Sequence, residues 1–134
     1  IIDAFALLRN LGGPQVPNPV QGVAAALWSD ESHVDANRNH YAVLFEMAGQ
    51  ILSKHSNFHN PSGGFFLWLD VGDGEKFAEH LWREMAVKTL PGSFMAKTDE
   101  MSGVNPGKSY VRVAMVDDIP TTKEALKRIA QVMG

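Results

Sequence analysis

The sequence contains no cysteine among its 134 residues, so disulfide bonds and thiolate metal ligands are excluded. The net charge is −3 and the Lys and Arg residues are scattered, which gives no basic patch for nucleic acid or for an anionic membrane surface. No apolar run reaches transmembrane length, and Ile1-Ile2-Asp3 lacks the basic start of a signal peptide. We therefore expect a cytoplasmic protein that binds neither nucleic acid nor a membrane.

The length is that of one ordinary domain, which can bury a core without disulfide bonds. The chain begins with Ile-Ile-Asp and not with Met, from which we expect a segment of a longer protein. There is no internal repeat and no low-complexity tract.

The apolar spacing predicts three helices in the first half of the chain. A first helix is expected over residues 1–11 and a long amphipathic helix over about 32–55. Between them, Asn18 precedes Pro19 in a Pro-rich stretch, which predicts that Asn18 caps a short second helix.

The second half alternates strands and helices. Strands are predicted at 65–69, apolar on both faces, at 87–90 and at 110–116. Asp73 is predicted to cap the helix after the first strand, and a capping box at 121–124 is predicted to open the last helix. This order predicts an α/β (α+β) fold, with a small sheet of two to four strands packed against helices.

Arg112 is the most informative residue, because it interrupts the otherwise apolar run 110–116. A guanidinium cannot be neutralised, so an unpaired one in an apolar sheet is costly. Arg112 therefore needs an anion. That anion is either a carboxylate of the protein, for example Asp70 on a neighbouring strand, or the carboxylate of a ligand held by two parallel hydrogen bonds. The strand pattern alone favours neither.

Three segments occur in an order that resembles a known family. They are Gly63-Gly64-Phe65-Phe66-Leu67-Trp68, Val87-Lys88-Thr89-Leu90-Pro91-Gly92-Ser93-Phe94 and Gly107-Lys108-Ser109-Tyr110-Val111-Arg112-Val113-Ala114. This pattern resembles the C-terminal part of class I aminotransferases, the pyridoxal-phosphate enzymes of fold type I. The stretch from Asp30 to Tyr41 is similar to the domain-connecting helix of that family. The subgroup with the greatest similarity is that of the N-succinyldiaminopimelate aminotransferases of bacterial lysine synthesis.

The resemblance implies a domain arrangement and partners. Residues 1–31 would be a remnant of the large cofactor domain, and residues 32–134 would be the C-terminal small domain. The parent enzyme would be a homodimer that binds pyridoxal 5'-phosphate. It would move an amino group between an amino acid, such as N-succinyl-diaminopimelate or glutamate, and a 2-oxo acid.

The resemblance also assigns site residues. The arginine of the last core strand binds the substrate α-carboxylate in this family, and Arg112 matches it. Gly64 and Phe65 match the segment that lines the substrate side of the cleft, although a core position for Phe65 is the favoured interpretation. Asn18 matches a loop that can approach the active site of the neighbouring subunit, although the helix cap is favoured there.

No catalytic residue is expected in this chain. The family's Schiff-base lysine lies in the large domain, and none of the seven lysines here stands in its motif (Lys54, Lys76, Lys88, Lys97, Lys108, Lys123 and Lys127). The chain alone is therefore predicted to be inactive and not to bind the cofactor.

Other groups of residues give no comparable indication of a functional site. The pairs His55/His59 and His33/His40 offer no third ligand, so no metal site is predicted. There is no Gly-x-Ser-x-Gly motif and no complete dinucleotide fingerprint.

Two alternatives to the aminotransferase fragment remain open. The first is a free-standing module that holds an amino acid through Arg112 in a closed pocket. The second is a structural or dimerisation domain in which Arg112 is satisfied internally. The aminotransferase fragment instead predicts an exposed or poorly paired Arg112.

Overall fold

A computed structural model of the chain describes residues 1–13, 16–55 and 58–134. They form two compact units, Ile1–Arg38 and Asn39–Gly134. None of the described helices combines the length and the apolar character needed to cross a membrane.

The first unit contains two complete helices, α1 (Ile2–Gly12) and α2 (Asn18–Trp28). Neither helix has a buried residue, and apolar side chains such as Leu11 and Trp28 are more than four-fifths exposed. The helices were predicted close to these bounds. The cap was not, because the residue preceding α2 is Pro17, and Asn18 is already its first helical residue with no capping hydrogen bond from its side chain.

The third helix, α3 (Ser32–Leu52), begins in the first unit and ends in the second. Its start is set by Asp30, whose Oδ1 accepts a hydrogen bond from the backbone N–H of Ser32 at 3.0 Å. The helix is three residues shorter than predicted. Its second half carries buried side chains, among them Leu44, Ala48 and Leu52, and so supplies core to the second unit.

The rest of the second unit is a three-stranded sheet with two helices. Its elements are, in chain order, β1 (Phe66–Asp70), α4 (Gly74–Met85), β2 (Leu90–Pro91), a 3-10 turn (Gly92–Phe94), β3 (Tyr110–Ala114) and α5 (Ile119–Met133). The strands lie in the order β1-β3-β2, and both pairs are antiparallel. The predicted α/β architecture, a small sheet packed against helices, is confirmed. The predicted strand at 87–90 reduces to Leu90 and Pro91, and the strand predicted at 65–69 is shifted by one residue.

The two faces of this sheet differ, because successive side chains of a strand point to opposite sides. The buried face carries Leu67, Leu69, Val111 and Val113, each at most 7% exposed, in a core that includes Leu81 of α4 and Leu126 of α5. The other side we call the open face, formed by Phe66, Trp68 and Asp70 of β1 with Tyr110, Arg112 and Ala114 of β3. None of these six residues is buried. The first strand thus carries apolar residues on both faces, as predicted, but only one of its faces is buried.

Aspartates cap both helices of this unit that follow a strand. Oδ1 of Asp73 accepts a hydrogen bond from the N–H of Lys76 at 3.1 Å, as predicted. Oδ1 of Asp118 accepts one from the N–H of Thr121 at 2.8 Å, so α5 begins before the predicted capping box at 121–124. Hydrogen bonds from the backbone and side chain of Lys76 lower the pKa of Asp73. Those from the side chain and backbone of Thr121 lower the pKa of Asp118.

Two turns meet at the start of β3. Nδ2 of Asn105 donates to the carbonyl oxygens of Ser93 and Ala96, both at 3.1 Å, and its Oδ1 accepts from the N–H of Gly107 at 2.9 Å. The backbones of Gly92 and Gly107 approach so closely that a Cβ on either would collide with the carbonyl oxygen of the other. The Pro-Gly-Ser and Asn-Pro-Gly segments therefore pack together and fix the point at which the strand of Arg112 begins.

Candidate functional site

Arg112 lies at the centre of the open face. It stands on the middle strand, opposite Trp68 of β1 on one side and Leu90 of β2 on the other. Its neighbours along the strand, Val111 and Val113, point into the core, while Arg112 itself is half-buried. The alternation of the strand thus explains how an arginine can stand among valines, because Arg112 points away from the core into which Val111 and Val113 point.

In the part of the second unit that the structure describes, Arg112 forms no ion pair with a carboxylate. Within residues 39–55 and 58–134, the ion pairs connect other residues, and no Asp or Glu lies within 4 Å of the Arg112 guanidinium. Asp70, the internal partner considered from the sequence, stands opposite Tyr110, and its Oδ1 accepts from the N–H of Gly72 at 3.3 Å. The described part of this unit therefore leaves the charge of Arg112 available to an external anion.

The contact that Arg112 does make is with an aromatic ring. Its Cζ lies over the ring of Phe66, 4.2 Å from the ring centroid. An arginine at this distance is attracted by the negative face of the ring, an interaction of about 0.5–1 kcal/mol at exposed sites and more when water is excluded. Phe66 carries no distinguishing signal in the sequence, because one apolar residue among several in a strand gives no sign of what it contacts.

Further aromatic rings lie close to Phe66 or on the open face. The Phe65 and Phe66 ring centroids are 4.1 Å apart, and Phe65 in turn lies 6.1 Å from Tyr41 of α3. Towards the other end, Trp68 and Tyr110 meet edge to face at 6.4 Å. An open face with this many rings can hold the apolar portion of a ligand whose anion is bound at Arg112.

A cleft of about 410 Å³ adjoins the open face. Its lining is part aromatic and part polar, and consists of His59, Asn60, Pro61, Phe66, Trp68, Asp70 and Tyr110. Phe66 belongs both to this lining and to the stack with Arg112. Next to the guanidinium of Arg112 there is therefore a concave surface large enough for a small organic molecule.

The other predicted site residues are placed as follows. Phe65 precedes β1 and is 42% exposed, so the favoured interpretation as a core residue is wrong. Gly64 has a φ of +91°, a conformation that glycine adopts without strain, and open space surrounds the position of a missing Cβ. Asn18 lies in the first unit. The Phe65 ring contacts the ring of Phe66, over which Arg112 lies.

No metal centre accompanies these residues. Among the residues that the structure describes, no three His, Asp or Glu side chains are grouped so that they could share an ion. His33 contacts Asp30, with Nδ1 and Oδ2 3.4 Å apart, in the turn before α3. The chemistry available at the open face is therefore that of anion binding and aromatic contact.

Comparison with proteins of known structure relates this fold to aminotransferases. An aminotransferase of Neisseria meningitidis is 36% identical and superimposes with a TM-score of 0.86 over 99% of this chain, which covers 34% of that protein. The aminotransferase AspB of Helicobacter pylori is 30% identical, with a TM-score of 0.75 over 95% of this chain and 31% of that protein.

Sequence comparison points to the same class. The 4-dedimethylamino-4-oxo-anhydrotetracycline transaminase OxyQ of Streptomyces rimosus is 27% identical over 115 residues, which are 85% of this chain and 30% of that enzyme. No protein-family model matches the chain. The relatives are thus aminotransferases, and this chain spans about a third of the length of each.

Proposed function

We propose that this chain is the C-terminal portion of a fold type I, pyridoxal-phosphate-dependent aminotransferase, and that Arg112 binds the α-carboxylate of its amino-acid substrate. Residues 32–134 would form the small domain and residues 1–31 a remnant of the large one. The proposal is supported by the similarity to about a third of several aminotransferases.

The observation that carries the proposal is the charge of Arg112 on the open face. The planar guanidinium offers parallel N–H donors that match the two oxygens of a carboxylate. Neighbouring hydrophobic and aromatic side chains reduce the competition from water, which strengthens such a pair. A carboxylate held by two hydrogen bonds has a fixed orientation, and this would place the α-carbon of the substrate for reaction.

This chain does not itself fit the cofactor. All seven lysines are exposed, and the cleft beside the open face has no lysine in its lining. A lysine that bonds covalently to pyridoxal phosphate has to stand at the substrate, enclosed with it. We therefore assign the cofactor, its lysine and the large domain to the remainder of a longer polypeptide, and expect this chain alone to be inactive.

The substrates follow from the proposed class. The complete enzyme would transfer an amino group between an amino acid and a 2-oxo acid. It would be a homodimer and would act in amino-acid biosynthesis. N-succinyl-diaminopimelate with glutamate, in lysine synthesis, is the finer proposal. It is supported by the Phe-Leu-Trp, Leu-Pro-Gly-Ser and Asn-Pro-Gly segments of the sequence.

The decisive test uses the complete enzyme encoded by the gene. Replacing Arg112 with Ala removes a charge-assisted, two-point contact, so we expect the KM for the amino-acid substrate to rise about 10- to 100-fold. The control Arg112→Lys keeps the positive charge but loses the two parallel N–H donors. Its KM should therefore lie between those of the wild type and of Arg112→Ala. An unchanged KM in Arg112→Ala would end the assignment.

A second test uses this chain. Mixed with pyridoxal phosphate, it should show no absorbance band of the lysine-bound cofactor beyond the slow, unspecific reaction of exposed lysines. A stoichiometric band that disappears on substitution of one lysine would contradict the placement of the cofactor lysine elsewhere.

A further inference from the structure

We infer that Phe66 is a positioning residue, whose ring holds the guanidinium of Arg112 in the orientation that presents its N–H donors to a carboxylate. This inference rests on the proposed function, since it concerns how that carboxylate would be bound. It concerns a residue that would not itself donate or accept any hydrogen bond to the substrate.

The strand register brings the two side chains together. Arg112 stands directly opposite Trp68, and Phe66 stands opposite Ala114, so Phe66 and Arg112 are diagonal neighbours on the open face. Diagonal pairs lie within reach of each other when one side chain is aromatic and the other long. The side chain opposite Phe66 is a single methyl group, which leaves the face of the ring free for the guanidinium.

A ring stacked on the guanidinium would leave its donors free. Cζ of Arg112 lies over the Phe66 ring, 4.2 Å from the centroid. The N–H donors of arginine lie in the plane of the group and point outward from its edge. A ring below that plane therefore restrains the group without using the donors, whereas a protein carboxylate would occupy them.

Phe66 is itself held in place. Its ring lies 4.1 Å from that of Phe65, and Phe65 contacts Tyr41 of α3. The ring below Arg112 is thus anchored on one side by the pairing of β1 with β3 and on the other by this aromatic row. A long side chain without such a contact occupies several rotamers, and ligand binding then has to restrict them.

The test compares variants of this chain by NMR. In ¹⁵N-labelled protein, the Nε–Hε signal of Arg112 is identified by its absence from the spectrum of Arg112→Lys. The ring current of Phe66 should displace this signal and the adjacent Hδ signals upfield of those of the exposed Arg38. Phe66→Leu should move them to the position of an exposed arginine, whereas Phe66→Tyr, which keeps the ring, should restore the displacement.

Binding is measured with the same substitutions in the complete enzyme, with L-glutamate as the probe. We expect the Kd to rise about fivefold in Phe66→Leu, which corresponds to the loss of one exposed cation–π contact. Phe66→Tyr should bind as the wild type does. The control Phe94→Leu makes the same change at an exposed phenylalanine of the 3-10 turn and should leave both readouts unchanged.

The possible outcomes distinguish the positioning role of Phe66 from the binding of a carboxylate by Arg112. An Arg112 signal that shows no ring-current displacement in the wild type would overturn the inference, and this holds even if Phe66→Leu fails to fold. An unchanged Kd in folded Phe66→Leu would overturn it as well. If instead Arg112→Lys binds L-glutamate as tightly as the wild type, the carboxylate assignment fails, while the displaced signal still reports the stack.

Discussion

The two faces of the three-stranded sheet differ in composition, in burial and in the role that we propose for them. The buried face is aliphatic, with Leu67, Leu69, Val111 and Val113 almost fully covered. The open face is aromatic and charged, and Trp68 at its centre is 47% exposed. Aliphatic side chains fit a tightly packed core, whereas aromatic rings and a guanidinium can bind a ligand from a half-covered position. One face thus stabilises the fold, and the other is available for function.

The largest difference between the two faces is expected for a pair of substitutions at adjacent positions of β1. Leu69→Ala removes a fully buried side chain, and we expect the free energy of unfolding to fall by about 3 kcal/mol, the usual cost of such a cavity. Its neighbour Trp68 lies on the open face, where Trp68→Leu should cost less than about 1 kcal/mol. Urea unfolding curves measure both values, and equal losses would contradict the assignment of the two faces.

A second substitution tests what keeps Arg112 on the open face. The turn at Gly107 packs against Gly92 immediately before β3, and a methyl group on Gly107 meets the carbonyl oxygen of Gly92. Gly107→Ala should therefore lower the free energy of unfolding by about 2 kcal/mol, as overpacking of a tight contact does. Gly63→Ala is the matched control, because open space surrounds that position. Similar stabilities of the two variants would show that this contact does not constrain the turn.

A third substitution sharpens the contrast between stability and function. Arg112→Ala removes a half-buried side chain that has no ion pair within the described second unit, and so we expect the free energy of unfolding to change by less than about 1 kcal/mol. The same change is proposed to weaken substrate binding strongly in the complete enzyme. A loss of several kcal/mol in urea unfolding would instead identify Arg112 as a structural residue.

Much of this arrangement could be predicted from the sequence. Helical spacing located the five α-helices that the structure describes, and the alternation at 110–114 contained the information that Arg112 and its valine neighbours face opposite ways. The first strand was harder, because Phe66 and Trp68 are apolar and suggest burial although they lie on the open face. Apolar residues on a strand indicate either a face buried in the core or an exposed face that binds a ligand or a partner. Hydropathy alone does not distinguish these two cases.

Local signals competed at the helix ends. Thr121 to Glu124 form a valid capping pattern, but Asp118 followed by Ile119-Pro120 is an equally good one and lies closer to the strand.

The contact of Phe66 with Arg112 depends on the register between β1 and β3, which the sequence does not state. The role of Asn105 likewise depends on carbonyl groups of residues 93 and 96 that become its neighbours only in the folded turn.

The smallest expected effect concerns the aspartates that begin the helices packed beneath the buried face. Hydrogen bonds in the folded state lower the pKa of Asp118 and of Asp73 below the value of an unfolded chain, which is about 3.9. The unfolded state therefore binds more protons than the folded state at acidic pH. The stabilisation from these carboxylates is fully present above about pH 5 and is lost as the pH falls through 4 towards the folded pKa.

Asp118→Asn separates charge from capping. Asparagine caps a helix about as well as aspartate and does not titrate, so the variant should retain most of its stability at pH 7 and lose less of it between pH 5 and pH 3 than the wild type does. Asp118→Ala removes the cap itself and should lower the melting temperature at both ends of this range. Thermal unfolding followed by circular dichroism at pH 7, 5 and 3 measures these differences. If Asp118→Asn and the wild type lost the same stability on acidification, the acid sensitivity would come from other groups, and the hydrogen bond to Thr121 would not favour the charged form of Asp118.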